Sequence, residues 1–257
     1  MRIARFTIDN EIHFGAVSGP EGQETLTHLS GDPLYVGVQA LERTVPVADV
    51  RLLAPVIPRS KIVCVGRNYA EHAAELGNEV PTSPMLFFKP NTSVSGPGDP
   101  VTLPPWTELV SYEAELAVVI GRMCKDVPVE RVPEVVFGYT AANDLTARDA
   151  QKSDGQWARA KGFDGACPLG PWVETELDTS ALSVRSRVNG ELKQDGNTRD
   201  MVFDVAALVS YASQAFTLLP GDVILTGTPA GVGIVDEGDT LDVEVEGIGT
   251  LRTVLRR

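Results

Sequence analysis

The sequence lacks any long apolar run: no segment reaches the roughly 20 consecutive apolar residues that a membrane-spanning helix needs. The opening stretch, MRIARFTIDN, also lacks the apolar core and the small-residue cleavage site of a secretory signal. We therefore expect a cytoplasmic protein with no membrane partner.

Cysteine is scarce, with Cys64, Cys124 and Cys167 far apart and no Cys-X-X-Cys pair among them. An odd number of widely spaced thiols indicates neither a disulfide framework nor a zinc knuckle. Because unpaired cysteines are usually buried, we expect three buried free thiols.

Basic residues are also few, since 22 Lys and Arg face 35 Asp and Glu and give a formal net charge of -13. A polyphosphate backbone is bound by clustered Lys and Arg, so nucleic acid is excluded as an expected partner. A small anionic substrate is not excluded, because a bound cation and a few local bases can reverse the field inside one pocket.

Turn formers are abundant, with Gly 24 and Pro 18, and the chain reads as short strands between them. Helical spacing occurs only near 69–76, 147–160 and 204–216, whereas 115–120, 183–188, 222–226 and 241–245 have strand patterns. Regular strand-helix alternation is absent, which favours a mainly β, α+β fold over a doubly wound one.

The first residues form a hairpin pattern, in which Ala4, Phe6 and Ile8 alternate with polar neighbours before a turn at Asp9-Asn10. A last apolar strand near 49–58 runs into two prolines, where we place a boundary. We predict a small N-terminal β domain at 1–57 and a main domain at 58–257.

Two carboxylates, Glu113 and Glu115, open the apolar strand YEAELAVVI. Side chains two apart on a strand share a face, with Cα atoms roughly 6–7 Å apart, so one cation can lie between them. Oxygen ligands favour magnesium, manganese or calcium over zinc. The alternative is an exposed acidic face, but the apolar remainder of the strand indicates burial, and buried like charges require a cation.

A third carboxylate, Asp144, stands where a strand ends and a helix begins, so it could join that site. The alternative is that Asp144 or Thr146 only caps the helix. Earlier in the chain, His72 and Glu75 are three apart on a short helix that precedes Gly77, and Glu75 could orient the imidazole as a base. The alternative there is a surface ion pair.

Lys89 and Lys161 lie beside apolar residues and turn formers, so each could either neutralise a substrate carboxylate or be a surface lysine. The loop TGTPAGVG follows a strand and offers amides and hydroxyls to a ligand. It is neither a P-loop nor a GxGxxG motif.

Taken in order, GRNYAEHAAE, FFKP, YEAELAVVIG, NDLTARDAQ, AKGFD, VNGELKQ and PGDVILTGTPAGVG resemble the fumarylacetoacetate hydrolase family over nearly everything after residue 60. The resemblance implies a twisted β-roll, a homodimer, and one Mg²⁺, or Mn²⁺ or Ca²⁺, held by Glu113, Glu115 and Asp144. It implies catalytic roles for His72, Glu75 and Lys161. It also implies that the substrate contacts are Gly66, Arg67, Arg148, Gln151 and Thr228.

The resemblance also implies a substrate, a small 2-oxo acid chelated by the metal. Our first expectation is hydrolysis of a carbon-carbon bond in an acylpyruvate. The alternatives are an isomerase or decarboxylase acting on a 2-hydroxydienoate dicarboxylate of the homoprotocatechuate pathway or on oxaloacetate, and a non-catalytic ligand-binding protein. Fumarylacetoacetase itself is longer and has a fourth acidic ligand where this chain has Val65, which disfavours that activity.

Overall fold

The computed structural model describes all 257 residues. Its helices α1 to α5 are Pro33–Val36, Ala70–Glu75, Arg148–Ser153, Ala158–Gly162 and Val205–Ala215. Strands β1 to β10 are Arg2–Ile8, Glu11–Ser18, Thr25–Leu29, Ala40–Pro46, Arg51–Leu53, Ile62–Gly66, Met85–Lys89, Val94–Ser95, Pro100–Thr102 and Val110–Ser111. Strands β11 to β20 are Ala114–Ile120, Val136–Asn143, Thr146–Ala147, Cys167–Glu174, Ser183–Val188, Glu191–Asn197, Val223–Leu225, Ile234–Val235, Thr240–Val245 and Gly249–Arg256.

Most strands belong to one 12-stranded sheet, ordered β4-β3-β2-β1-β14-β12-β11-β17-β6-β7, with β5 beside β1 and β8 beside β14. A second sheet has the order β16-β15-β19-β20-β9, and a third, small sheet has the order β13-β10-β18. The predicted mainly β, α+β architecture is confirmed. The N-terminal strands extend the large sheet through the pairing of β1 with β14.

Strand β11 is the centre of the core, because all seven of its residues are buried. Alternation along the strand turns Leu116, Val118 and Ile120 toward one cluster and Ala117 and Val119 toward another. The first cluster includes apolar residues of α5 and of the second sheet. The start of β11, where the two glutamates stand, is therefore fixed by packing on both faces.

The structure corrects two details of the sequence interpretation. The helix predicted at 147–160 is two short helices, α3 and α4, because Gly155 between them has φ 71°, in the left-handed region, and interrupts the helical path. Cys64 and Cys167 are buried free thiols as expected, but Cys124 is only half-buried. The predicted hairpin is present, and its turn residues Asp9 and Asn10 both have positive φ.

The structure contains no helix with the length and hydropathy of a membrane span; the longest, α5, has 11 residues. Asp204 caps α5 by accepting a hydrogen bond from the Ala207 backbone N–H at 2.8 Å. The pattern that predicted this helix, with apolar residues on one face, matches the buried positions Leu208, Val209 and Ala212.

A histidine in the N-terminal strands predicts acid sensitivity. His28 is buried against Phe6 and His13, and its Nε2 has no hydrogen-bond partner. Burial, then Arg43 and His13, lower the pKa of His28 below its usual 6.5. Because folding lowers this pKa, the unfolded state binds the proton first, and stability is lost as pH falls from the usual value toward the lowered one. We expect wild type to lose more thermal stability than His28→Leu between pH 7.5 and 5.5. Equal losses in parallel melts would contradict this.

Candidate active site

The three predicted metal ligands meet because β11 and β12 are antiparallel neighbours. Ala114 pairs with Asn143, so Glu113 and Asp144 extend just beyond the paired ends. The Asp144 backbone N–H donates to the Glu113 carbonyl at 2.9 Å, and the Glu113 N–H donates to the Asn143 side-chain oxygen at 2.9 Å. One carboxylate oxygen each from Glu113, Glu115 and Asp144 lies within 4.8 Å of the others.

These carboxylates are deeply buried, with exposed fractions of 4% for Glu113 and 1% for Glu115 and Asp144. The exposed acidic strand considered above is therefore wrong. The capping alternative is also wrong, because the N-cap residue of α3 is Ala147 and no side chain caps the helix, while Thr146 donates its hydroxyl to the Asp144 carbonyl. The three groups form one buried acidic triad.

Two positively charged side chains, those of Lys161 and Arg148, bind Glu113 directly. Lys161 Nζ donates to Glu113 Oε2 and to Asp144 Oδ2, both at 2.7 Å, and Arg148 Nη2 donates to Glu113 Oε1 at 2.6 Å. Burial alone would raise the pKa of Glu113, but Lys161 and Arg148 outweigh it and hold that pKa well below its usual range. Burial likewise opposes the charge of Lys161, yet Asp144 and Glu113 raise its pKa.

Glu115 has no such cation. Its Oε2 accepts a 2.6 Å hydrogen bond from the Gly227 backbone N–H. Gly227 has φ 97°, and a Cβ there would come within 2.7 Å of the Asn68 Cβ, so glycine is required at this point. Burial, then Asp144 and Glu113, raise the pKa of Glu115 well above its usual value. The triad thus holds one carboxylate that has no salt-bridge partner.

Lys89 lies on the far side of Asp144, with Nζ 2.7 Å from Asp144 Oδ1. Its ammonium donates to three backbone carbonyls instead, those of Leu145, Lys161 and Ala166. Asp144 Oδ1 is therefore close to a positive charge but has no hydrogen-bond partner. Both Lys89 and Lys161 are buried, so the surface-lysine alternative is wrong for each.

The residues of the triad fit a hard divalent cation. All donors are carboxylate oxygens, Asp144 Oδ1 is an orphaned buried acceptor, and Glu115 is a buried carboxylate without a salt-bridge partner. Buried like charges of this kind are stabilised by a bound cation. Oxygen-only donors suit Mg²⁺, Mn²⁺ or Ca²⁺.

The histidine and its glutamate partner stand beside the triad. His72 is 5% exposed, and its Nδ1 lies 3.3 Å from Glu75 Oε2. Glu75 also accepts from the Gly231 backbone N–H, at 3.1 and 3.2 Å to its two oxygens. With its proton on Nδ1, the imidazole donates to Glu75 and keeps a lone pair on Nε2, which makes no hydrogen bond within the chain. The pair is not the simple surface ion pair considered above.

A cavity of about 410 Å³ connects these groups. Its walls contain nine of the predicted site residues, Gly66, Arg67, His72, Glu113, Glu115, Arg148, Gln151, Lys161 and Thr228. Asp144 lies behind this wall, bonded to Lys161, and Glu75 lies behind His72. Val65, Leu76, Asn78, Phe87, Lys152 and Trp157 complete the lining.

Two further features of the cavity concern its cations. Arg148 Nη1 donates to Gln151 Oε1 at 3.0 Å, so these two predicted substrate-binding residues are hydrogen-bonded to each other. Arg67 has φ 59°, unusual for a residue with a Cβ, and its side chain forms no ion pair. Such backbone strain tends to occur at ligand-binding positions.

Sequence reasoning missed several residues around the site. Gln194 is fully buried and hydrogen-bonds both Ala114 and Thr228. The motif VNGELKQ contained it, but neither charge nor periodicity marks a buried amide. Phe87 and Trp157 pack edge to face at 5.1 Å in the cavity wall, and their pairing from distant segments has no local signal.

Comparisons with known proteins give consistent results. Residues 61–256 match the family model described as Fumarylacetoacetate (FAA) hydrolase C-terminal, and residues 1–55 match Rv2993c-like, N-terminal. Over 218 residues, the chain is 42% identical to oxaloacetate tautomerase Fahd2a, mitochondrial, of Rattus norvegicus, covering 80% of this chain and 70% of that protein.

Two crystal structures superpose over the whole chain. One is 5-carboxymethyl-2-hydroxymuconate delta-isomerase from Mycobacterium smegmatis, with TM-score 0.93, 46% identity and 100% of each chain covered. The other is 2-hydroxyhepta-2,4-diene-1,7-dioate isomerase from Mycobacterium marinum, with TM-score 0.93 and 45% identity, covering 100% of this chain and 98% of that one.

Proposed function

Because the chain belongs to the fumarylacetoacetate hydrolase family, we propose that it is a divalent-metal-dependent isomerase of a small 2-oxo dicarboxylic acid. The reaction would interconvert the enol and keto forms of that acid. The observation that carries the proposal is the buried triad of Glu113, Glu115 and Asp144, which adjoins one cavity together with the His72-Glu75 pair. The names of the tautomerase and isomerase relatives support the same class of reaction.

The metal ligands in this proposal are Glu113, Glu115 and Asp144. A divalent cation held there supplies Lewis acidity toward the oxygens of a 2-oxo acid. Lys161 holds Glu113 and Asp144 in place through its two 2.7 Å hydrogen bonds. Mg²⁺ is our first choice and Mn²⁺ the second, because both accept carboxylate oxygens and leave positions for substrate.

The proton transfer is assigned to His72. Isomerisation moves one proton between the enol oxygen and a carbon of the enol or its conjugated extension. In the direction of the keto form, His72 Nε2 would accept the proton of the enol oxygen and deliver it to that carbon; in the reverse direction it would take the proton from carbon and return it to oxygen, and Glu75 would fix the ring through Nδ1. Gly231 fixes Glu75 in turn through its backbone N–H.

Substrate binding is assigned to the cationic and polar walls. Arg148, Gln151, Lys161 and Thr228 would contact the 2-oxo carboxylate end, with Gly66 beside it. A second carboxylate would meet Arg67 and Lys152, which line the cavity and carry no ion pair. In a chain of net charge -13, this local concentration of cations favours a doubly charged acid.

Turnover of the enol form of oxaloacetate and of a 2-hydroxydienedioate, followed by loss of enol absorbance, tests the reaction. We expect faster conversion with Mg²⁺ or Mn²⁺, one product, and no new carboxylate oxygen from ¹⁸O-water. Cleavage into two acids, or loss of carbon dioxide, would replace isomerisation with hydrolysis or decarboxylation.

Hydrolysis of an acylpyruvate is the second candidate, because a histidine whose Nδ1 contacts a carboxylate, as that of His72 contacts Glu75, can also deprotonate water. Attack of that water on the acyl carbon would break the carbon-carbon bond and release pyruvate and a second acid. Acetylpyruvate and fumarylpyruvate are the substrates that distinguish it, since their cleavage incorporates one solvent oxygen into the released acid.

Replacing Arg67 with methionine tests the second carboxylate. We expect KM for oxaloacetate to rise about tenfold or more, the loss of one charge-assisted hydrogen bond. Inhibition by oxalate, which needs only the metal and its neighbours, should stay within about twofold of wild type. The exposed Arg131→Met serves as control. An unchanged KM for Arg67→Met would remove Arg67 from the substrate contacts.

A further inference from the structure

We propose that Gln194, a buried glutamine of β16, is a positioning residue that couples the metal-binding strand to the loop holding the base pair. The inference rests on the proposed metal centre and does not depend on which reaction the site performs. Gln194 touches none of the three carboxylates, and its 0% exposure and complete hydrogen bonding show that it belongs to the interior behind them.

Gln194 takes part in a closed ring of hydrogen bonds around Ala114, the residue between Glu113 and Glu115. Gln194 Oε1 accepts from the Ala114 N–H at 3.0 Å, and Gln194 Nε2 donates to Thr228 Oγ1 at 2.7 Å. The Thr228 hydroxyl then donates to the Ala114 carbonyl at 2.8 Å. Both backbone polar groups of Ala114 are therefore held by side chains, which fixes the peptide planes that orient the two glutamates.

The second amide hydrogen of Gln194 reaches the loop after β17. It donates to the Pro229 carbonyl at 2.8 Å, two residues before Gly231. The Gly231 N–H holds Glu75, which contacts His72. The side chain of Gln194 thus connects the strand that carries the proposed metal ligands to the loop that holds Glu75 and, through Glu75, to His72.

The strand that carries Gln194 is pressed against this loop. A Cβ on Gly196 would meet the Pro229 Cβ at 2.4 Å, and a Cβ on Gly231 would meet the Lys193 carbonyl oxygen at 2.3 Å. Glycine at both positions allows the two backbones to approach closely. Because β16 belongs to the second sheet and Ala114 begins β11 of the first, the hydrogen bond from Ala114 to Gln194 connects the two sheets at the site.

Two substitutions separate the two halves of this role. Gln194→Met keeps the side-chain length but removes every hydrogen bond, so Ala114 and the loop both lose their support. Gln194→Glu keeps an acceptor for the Ala114 N–H but, when ionised, cannot donate to Thr228 or Pro229. Ser186→Ala is the matched control: Ser186 is the cross-strand partner of Gln194, is equally buried, and its hydroxyl has no partner.

The test is Mn²⁺ affinity of the full-length, metal-stripped protein, measured calorimetrically well below each variant's Tm, together with kcat. We expect Gln194→Met to weaken Mn²⁺ binding roughly 10- to 100-fold, as residues behind metal ligands do. Gln194→Glu should bind Mn²⁺ no more weakly than wild type but lose at least about tenfold in kcat. Ser186→Ala should match wild type within about twofold in both.

Mn²⁺ affinity of Gln194→Met within twofold of wild type, with only a lower Tm, would overturn the proposal and leave Gln194 a packing residue. Full kcat in Gln194→Glu would overturn its link to the base. If wild type itself turns over no 2-oxo acid, the proposed reaction is wrong, but the Mn²⁺ affinities still decide the role of Gln194 at the metal centre.

Discussion

Replacing Glu115 with glutamine is expected to abolish tight Mn²⁺ binding and to lower kcat/KM by about 10³-fold or more. The variant keeps the shape of the side chain but removes the charge of one of the three proposed ligands. A divalent cation contributes several kcal/mol to stabilising charge on a reacting oxygen, and each 1.4 kcal/mol corresponds to tenfold in rate. Exposed Glu108→Gln makes the same charge change outside the site and should behave as wild type.

The same substitution should not harm the metal-free fold. Burial, Asp144 and Glu113 raise the pKa of Glu115 above its usual 4.5, so the folded state binds its proton more tightly than the unfolded state does. For such a group, stability falls as pH rises through the interval between the two values. At pH 8 we expect metal-stripped Glu115→Gln to melt no lower than metal-stripped wild type.

Added Mn²⁺ should then raise the Tm of wild type but not that of Glu115→Gln, because a ligand stabilises only the state that binds it. Thermal melts with chelator and with Mn²⁺ measure both effects. A variant that binds Mn²⁺ as tightly as wild type, or that unfolds when stripped of metal, would contradict the assignment of Glu115 as a ligand.

Replacing His72 with asparagine is expected to lower kcat by about 10²- to 10⁴-fold, the usual contribution of a general acid-base group. Mn²⁺ and oxalate binding should stay close to wild type, because His72 contacts Glu75 and none of the three carboxylates. His13→Asn is the matched control, since His13 lies in the N-terminal strands, where its ring packs against Phe6 and His28.

Two readouts distinguish a catalytic His72 from a structural one. A catalytic role leaves the Mn²⁺ affinity intact while kcat falls, whereas a structural role lowers both. Glu75→Gln should reduce kcat by less than His72→Asn, because it still accepts from the imidazole through its amide oxygen. If His72→Asn retains wild-type kcat, proton transfer must be assigned to another group of the cavity.

Much of the site was predictable because its chemistry is concentrated in short motifs. Glu113 and Glu115 are two apart at the start of an apolar strand, and burial of that strand follows from its composition. His72 and Glu75 are three apart on a helix, and their contact at 3.3 Å follows from helical geometry. The family resemblance predicted that Asp144 lies with Glu113 and Glu115, and the antiparallel pairing of β11 with β12 explains why the three carboxylates are close together.

Other parts could not be read from the sequence because they depend on contacts between distant segments. Lys89 offered two interpretations, and only the fold shows it donating to three carbonyls behind Asp144. The single helix expected at 147–160 is divided at Gly155, whose left-handed φ competes with otherwise helical neighbours. The division at residue 57, the cytoplasmic location and the homodimer stay predictions.

The central claim is that the buried triad holds a divalent metal on which isomerisation depends. Titration of chelator-stripped protein with Mn²⁺, while the conversion of enol to keto oxaloacetate is followed, tests it most directly. The account predicts no acceleration before titration and a rise in rate that saturates at one Mn²⁺ per chain. Undiminished acceleration by the stripped protein, or one bound Mn²⁺ without any acceleration, would contradict it.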